Sequence, residues 1–99
     1  MAEIRVTRLH ARVRGRVQGV GYRMWTERCA RQLGVGFGRV RNLPDGSVEV
    51  EAEAEDRMRL EGLLRALRTG PPAADVDGVE ADWQEDAEPR FTSFRVEDW

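Results

Sequence analysis

Residues 8–14 alternate strictly: Leu9, Ala11 and Val13 fall on one side of an extended chain, Arg8, His10, Arg12 and Arg14 on the other. Residues 47–54 repeat the pattern with the opposite charge, setting Val48, Val50, Ala52 and Ala54 against Glu49, Glu51 and Glu53. Each segment is a half-buried strand with its charged row turned outward to solvent. A basic row and an acidic row would suit neighbours in an antiparallel sheet. Such pairing accounts for part of an uneven charge distribution. Ten arginines and two acids give residues 1–41 a net charge of +8, whereas six arginines and sixteen acids give residues 42–99 a net charge of −10. The competing explanation for the basic half is an anionic ligand or partner.

The first strand extends back through Ile4 and Val6. It ends at Gly15-Arg16-Val17-Gln18-Gly19-Val20-Gly21, where three glycines in seven residues preclude a regular element. Tyr22, Trp25, Thr26, Cys29, Ala30 and Leu33 then recur at helical spacing, and Gly34 is a C-terminal stop. Residues 36–42 read as a second strand interrupted by glycines, and Asn42-Leu43-Pro44-Asp45-Gly46 as a turn. A second helix runs from about Asp56 to Arg68 on Leu60, Leu63, Leu64 and Leu67, with Asp56 at its start and Arg65 and Arg68 at its end matching the dipole. A fourth strand spans Val76–Gln84, with Val79, Ala81 and Trp83 on one face. Glu85–Arg90 is a polar loop, Phe91–Glu97 a fifth strand, and Trp99 closes the chain. This order predicts an α+β fold of the ferredoxin-like type: βαββαβ with an extra short C-terminal strand, a mostly antiparallel sheet, and both helices on one face. That architecture hosts many unrelated functions, so it decides nothing about chemistry.

Ninety-nine residues support one core, and a single domain over residues 1–99 is expected. No apolar run approaches the ~18–20 residues that cross a bilayer. Met1–Arg5 lacks the layout of a signal peptide, and one cysteine, Cys29, cannot form an internal disulfide. A cytoplasmic monomer without membrane association is the expectation.

The glycine-rich stretch joins a strand to a helix N-terminus, where up to about four backbone N–H groups lack partners and the dipole is positive. Glycines let such amides turn inward into a nest. Arg23 adds a cation in the first helical turn, where the dipole prefers acids, and no Asp or Glu lies in the loop. Amides, dipole and guanidinium converging on one spot suit an anion, phosphate above all. The plain alternative is a connecting turn with Arg23 solvated. The loop has no Gly-Lys-Ser/Thr and no dinucleotide fingerprint, which disfavours a nucleotide. Asn42, on its residues alone, reads as a turn opener.

Gly15-Arg16-Val17-Gln18-Gly19-Val20-Gly21-Tyr22-Arg23 resembles the acylphosphatase signature, which commonly reads G-x-V-Q-G-V-G-F/Y-R. Val40-Arg41-Asn42, with Asp45-Gly46 and Val48-Glu49 after it, is similar to the family's second signature around its catalytic Asn. The resemblance covers nearly the whole chain. It implies a small hydrolase that splits the carboxyl–phosphate bond of acyl phosphates, releasing a carboxylate and inorganic phosphate, the latter also a competitor. Arg23 and Asn42 are implied as the catalytic pair, and Arg16, Val17, Gln18, Gly19, Val20, Gly21 and Tyr22 as the phosphate-binding loop. No metal and no cofactor are implied. The stretch Gly34–Val40 departs from the family pattern: it is about one residue longer and has Arg39 where an aromatic commonly stands. A slip in the second strand there would displace Asn42.

A carboxylate leaves at neutral pH without protonation, so the chemistry needs no general acid, and catalysis can rest on positioning and electrostatics. The implied roles are phosphoryl gripping by the loop amides and Arg23, and water orientation by the Asn42 carboxamide. The proton passes to the substrate's own phosphate, with no covalent intermediate. Other candidates read blandly. His10 is a surface residue, Cys29 lies on an apolar helix stripe where thiols are inert, and Trp25, Trp83 and Trp99 are packing residues. Alternating exposed carboxylates without His or Cys beside them do not make a metal site. Two rivals remain: a catalytically silent binding domain, and a nucleic-acid-binding module, which Glu49, Glu51 and Glu53 oppose by repelling a phosphate backbone.

Overall fold

The computed structural model describes residues 3–97. Its elements are β1 (Val6–Arg16), α1 (Tyr22–Gln32), β2 (Phe37–Asn42), β3 (Val48–Ala54), α2 (Arg57–Thr69), β4 (Asp75–Ala87) and β5 (Phe94–Glu97). One sheet holds the strands in the order β4-β1-β3-β2-β5. The first four have the ferredoxin-like order, and β5 is the extra C-terminal strand.

The two charged rows meet as expected. Arg8 lies opposite Glu53, His10 opposite Glu51 and Arg12 opposite Glu49, which places Leu9, Ala11 and Val13 beside Ala52, Val50 and Val48 on the other face. That apolar face packs against α1 and α2. Leu60, Leu63, Leu64 and Leu67 of α2 and Tyr22, Thr26 and Ala30 of α1 are buried. The Tyr22 hydroxyl donates to the Leu67 carbonyl at 2.6 Å, fixing the start of α1 to the end of α2. Trp25 packs on the core with its ring tilted against Tyr22, centroids 5.4 Å apart. The Arg57 guanidinium stacks 4.0 Å from the Trp83 ring centre. Trp99 lies outside the described residues.

Three boundaries differ from the sequence expectation. β1 continues through Gly15 and Arg16, which pair with Val76 and Asp75 after a register shift. A Cβ on Gly15 would sit 2.2 Å from the Asp75 carbonyl oxygen, so the glycine that looked like a strand breaker is what lets the two backbones close. β4 runs three residues beyond Gln84, because Val6 pairs with Ala87 across a second irregularity where Asp86 has φ 52°. β5 begins only at Phe94, since the Arg90 and Phe91 amides donate to the Glu53 carboxylate at 3.1–3.2 Å instead of joining a ladder. The sheet is mostly antiparallel as expected, with β5 alone pairing in parallel, to β2.

The outward acidic row is not uniformly exposed. Glu53 is 1% and Glu51 6% exposed, and Arg8 is 6% exposed. The chain beyond β4 explains this, because it folds over the charged face. Arg8 donates to Glu53 at 2.8 Å, to Gln84 at 2.8 Å and to the Glu88 carbonyl at 2.6 Å. Both oxygens of the buried carboxylate thus meet donors, from Arg8 and from the Arg90 and Phe91 amides, which is what makes its burial tolerable.

Candidate active site

β1 delivers the chain to a bend at residues 17–21, and α1 begins at Tyr22. Gly19 and Gly21 adopt φ 76° and 78°, a left-handed backbone that glycine enters without strain. Gly21 caps α1 with no side-chain hydrogen bond, and no acid stands in the first turn. Among the described residues, no carbonyl or side chain accepts from the N–H groups of residues 17–21. Unsatisfied donors at a positive helix end attract an anion, each hydrogen bond to charge contributing roughly 1.5–3 kcal/mol.

The side chains of this loop have other employment. Val17 and Tyr22 are 1% exposed and belong to the core, where burial pushes the Tyr22 phenol above its ordinary range. Val20 packs on the same core. The Gln18 amide nitrogen donates to the Leu43 carbonyl at 2.8 Å and the Ser47 carbonyl at 2.9 Å. What residues 16–22 present to a ligand is therefore main-chain N–H, together with the exposed Arg16 side chain.

Arg23 donates from Nη1 to the Glu97 carbonyl at 2.7 Å. Glu97 lies beside Arg41 in the β2–β5 pair, one residue before Asn42. On the other side of Asn42, Leu43 carries one of the two Gln18 contacts. Gln18 thus holds the residue after Asn42 and Arg23 holds the strand beside the residue before it, so the loop, the start of α1 and the end of β2 meet at one end of the sheet. The slip implied by the longer Gly34–Val40 stretch does not occur in β2. Its pairing with β3 is unbroken from Phe37–Glu53 to Asn42–Val48.

The turn after Asn42 is braced independently. Asp45 accepts from the Ser47 N–H at 3.0 Å and the Ser47 hydroxyl at 2.5 Å, and pairs with Arg12 of β1. These Ser47 bonds, supported by Arg12, hold the Asp45 carboxyl down to about 2.

His10 meets Glu49 at 2.8 Å instead of standing among free arginines. Burial would raise the Glu49 pKa, but hydrogen bonds from His10 and Arg41 outweigh it and hold that carboxyl low. Burial pushes the Cys29 thiol up, away from the reactive thiolate. No group of three or more His, Cys, Asp or Glu side chains is arranged to hold a metal ion among the described residues. A cleft of about 700 Å³ lined by Ile4, Phe37, Asp56, Arg59 and Phe91 lies at the opposite end of the sheet and contains neither Arg23 nor Asn42. The bracing by Gln18 and Asp45 was not read from sequence. The available signal was a long amide side chain placed among glycines that have none.

The sequence pattern of one family, acylphosphatase, matches residues 9–96. The chain is 51% identical over 89 residues to an acylphosphatase of Salinibacter ruber, covering 90% of each chain. It is 53% identical over 78 residues to one of Thermococcus kodakarensis, covering 79% of this chain and 84% of the relative. Among solved structures, an acylphosphatase from Bacillus subtilis superposes with a TM-score of 0.84 at 28% identity, covering 93% of this chain and 99% of that one. One from Coxiella burnetii superposes with a TM-score of 0.80 at 36% identity, covering 94% of both. A match to the family pattern over most of its length, with half its residues shared with enzymes so named, means that the chain belongs to the acylphosphatase family.

Proposed function

We propose that this chain hydrolyses acyl phosphates by holding the phosphoryl group in the bend at residues 16–22, with Arg23 as counter-charge and Asn42 as the orienter of water. The single observation that carries the reading is the row of N–H groups over residues 17–21 with no acceptor among the described residues, opening onto a helix end with no acid in its first turn. Donors fixed before substrate arrives stabilise the charge that spreads over phosphoryl oxygens in the transition state, and need no reorganisation to do so.

Water attacks phosphorus in line with the departing carboxylate, forming the P–O(water) bond as the acyl P–O bond breaks. The carboxylate takes the bonding pair and leaves unprotonated. Asn42 is an amide and no useful base, so it aligns the water by hydrogen bonding while the water's proton goes to a phosphoryl oxygen. No covalent intermediate forms and no cofactor takes part.

The chain acts as one unit over residues 1–99, as a cytoplasmic monomer on a small-molecule substrate. Against a nucleic-acid role stands the neutralisation of the β1 cations, Arg8 by Glu53 and Arg12 by Asp45, with His10 held by Glu49. Among the described residues no helix is long and apolar enough to cross a membrane. Turnover of acetyl or benzoyl phosphate in EDTA tests the proposal, with p-nitrophenyl phosphate for comparison. Rapid metal-independent hydrolysis of the acyl phosphates alone, competed by inorganic phosphate, is expected. Absence of that hydrolysis leaves a silent binding domain.

A further inference from the structure

Gln18 sits inside the phosphate loop, yet its side chain faces away from any loop ligand and toward the Asn42 turn. Its two acceptors, the Leu43 and Ser47 carbonyls at 2.8 and 2.9 Å, are both oxygens, so the amide nitrogen must face them and both its N–H groups are used. Those two residues also close the turn, since the Leu43 N–H donates to the Ser47 carbonyl at 2.8 Å. One side chain from the loop therefore grips both ends of the hairpin that begins at Asn42.

The turn does not need Gln18 to hold its own shape. Asp45 and Ser47 brace it from within and Arg12 from β1. What Gln18 adds is a fixed relation between the turn and the loop amides. The loop side is rigid in turn, because Val17 is buried ahead of Gln18 and Tyr22 is tied to Leu67 after it.

We propose that Gln18 is a positioning residue, acting through Asn42 rather than on substrate, that sets the distance between the gripped phosphoryl group and the water Asn42 aligns. The proposal rests on the functional reading above. In-line attack requires reacting atoms about 3–3.5 Å apart, and a misplacement of about 1 Å lowers rate roughly 10²-fold. Gln18 thereby couples phosphate binding to water orientation, two tasks that different elements perform.

Two variants test this. Gln18→Met keeps the length and removes both donors, and Gln18→Glu keeps the shape while placing a carboxylate against two carbonyls. The expected result is a fall in kcat of about 10- to 100-fold, greater for Gln18→Glu, with competition by inorganic phosphate changed less than about threefold in the uncharged Gln18→Met. Asn42→Ala made on top of Gln18→Met should lower kcat by less than it does alone, since the two act as one unit. In ¹⁵N spectra, inorganic phosphate should move the amide signals of residues 16–22 and of Leu43, Asp45, Gly46 and Ser47 in the parent chain, and of 16–22 only in either variant.

A kcat within about threefold of the parent, additive effects with Asn42→Ala, or kcat and phosphate affinity falling together with thermal stability each overturn the proposal. Turn signals that respond to phosphate equally in Gln18→Glu also overturn it, with the cradle intact. If phosphate moves no signal over 16–22 in the parent chain, the cradle reading fails and takes this one with it.

Discussion

Arg23 and Glu97 join the first turn of α1 to the last residue of β5 through a 2.7 Å hydrogen bond from guanidinium to main-chain carbonyl. The contact turns a flexible side chain into a placed one at the mouth of the bend. Arg23→Gln removes the charge, and the expected loss is about 3–4 kcal/mol of transition-state binding, or a 10²- to 10³-fold lower kcat/KM. Circular dichroism should show the fold retained. A variant holding more than about a tenth of the parent rate would contradict the clamp role.

Asn42→Ala should separate binding from turnover. The phosphate-gripping groups lie on the loop and α1, whereas Asn42 ends β2. The expected outcome is a strong fall in kcat, with inorganic phosphate competing at an affinity within about threefold of the parent. Steady-state inhibition kinetics make the comparison, and lost phosphate binding at unchanged kcat would assign Asn42 another task.

Removing one member of the buried Arg8–Glu53 pair leaves a charge stranded under the 88–91 segment. Glu53→Gln is expected to lower unfolding free energy by about 3–5 kcal/mol. Arg8→Met combined with Glu53→Leu should recover only part of that loss, because the Arg90 and Phe91 amides and the Glu88 carbonyl then lose their partners. Urea unfolding reads both. Glu53 lies opposite Phe37, at the far end of β3 from Asn42, so kcat of the folded fraction at low temperature should be near that of the parent.

Asp45 gives a pH prediction with a definite sign. Its folded pKa of about 2 lies below the ordinary 3.8. The bracing it contributes is therefore complete above about pH 4, and is lost only as pH falls from about 4 toward 2. A carboxyl-carbon NMR titration of Asp45, read alongside the Ser47 amide, should follow that window, and Asp45→Asn should flatten the Ser47 response. A midpoint near 4 would show that Ser47 and Arg12 do not act on the carboxylate as described.

The facing of Arg8, His10 and Arg12 by Glu53, Glu51 and Glu49 was legible because a strand has a period of two and its charges were written in order. Both helices were legible within about two residues, from leucine spacing in α2 and Gly34 after α1. The extra length of β4 was not, since Glu85 and Asp86 look like loop residues and enter the ladder only because Val6 offers a partner to Ala87. Nor was the burial of Glu51 and Glu53, which depends on where residues 88–91 fold back. The loop was readable as a run of amides plus a cation. The direction in which Gln18 points was not, because spacing carries no rotamer.

β4 forms one border of the sheet and is thirteen residues long. A border of that length would ordinarily invite another molecule to extend it. Asp75, Asp77, Glu80, Asp82, Glu85 and Asp86 stud it with carboxylates and no cation. Arg5, Arg14 and Arg57 meet Asp86, Glu80 and Glu85, so it is Asp75, Asp77 and Asp82 whose charge would oppose the approach of a like border.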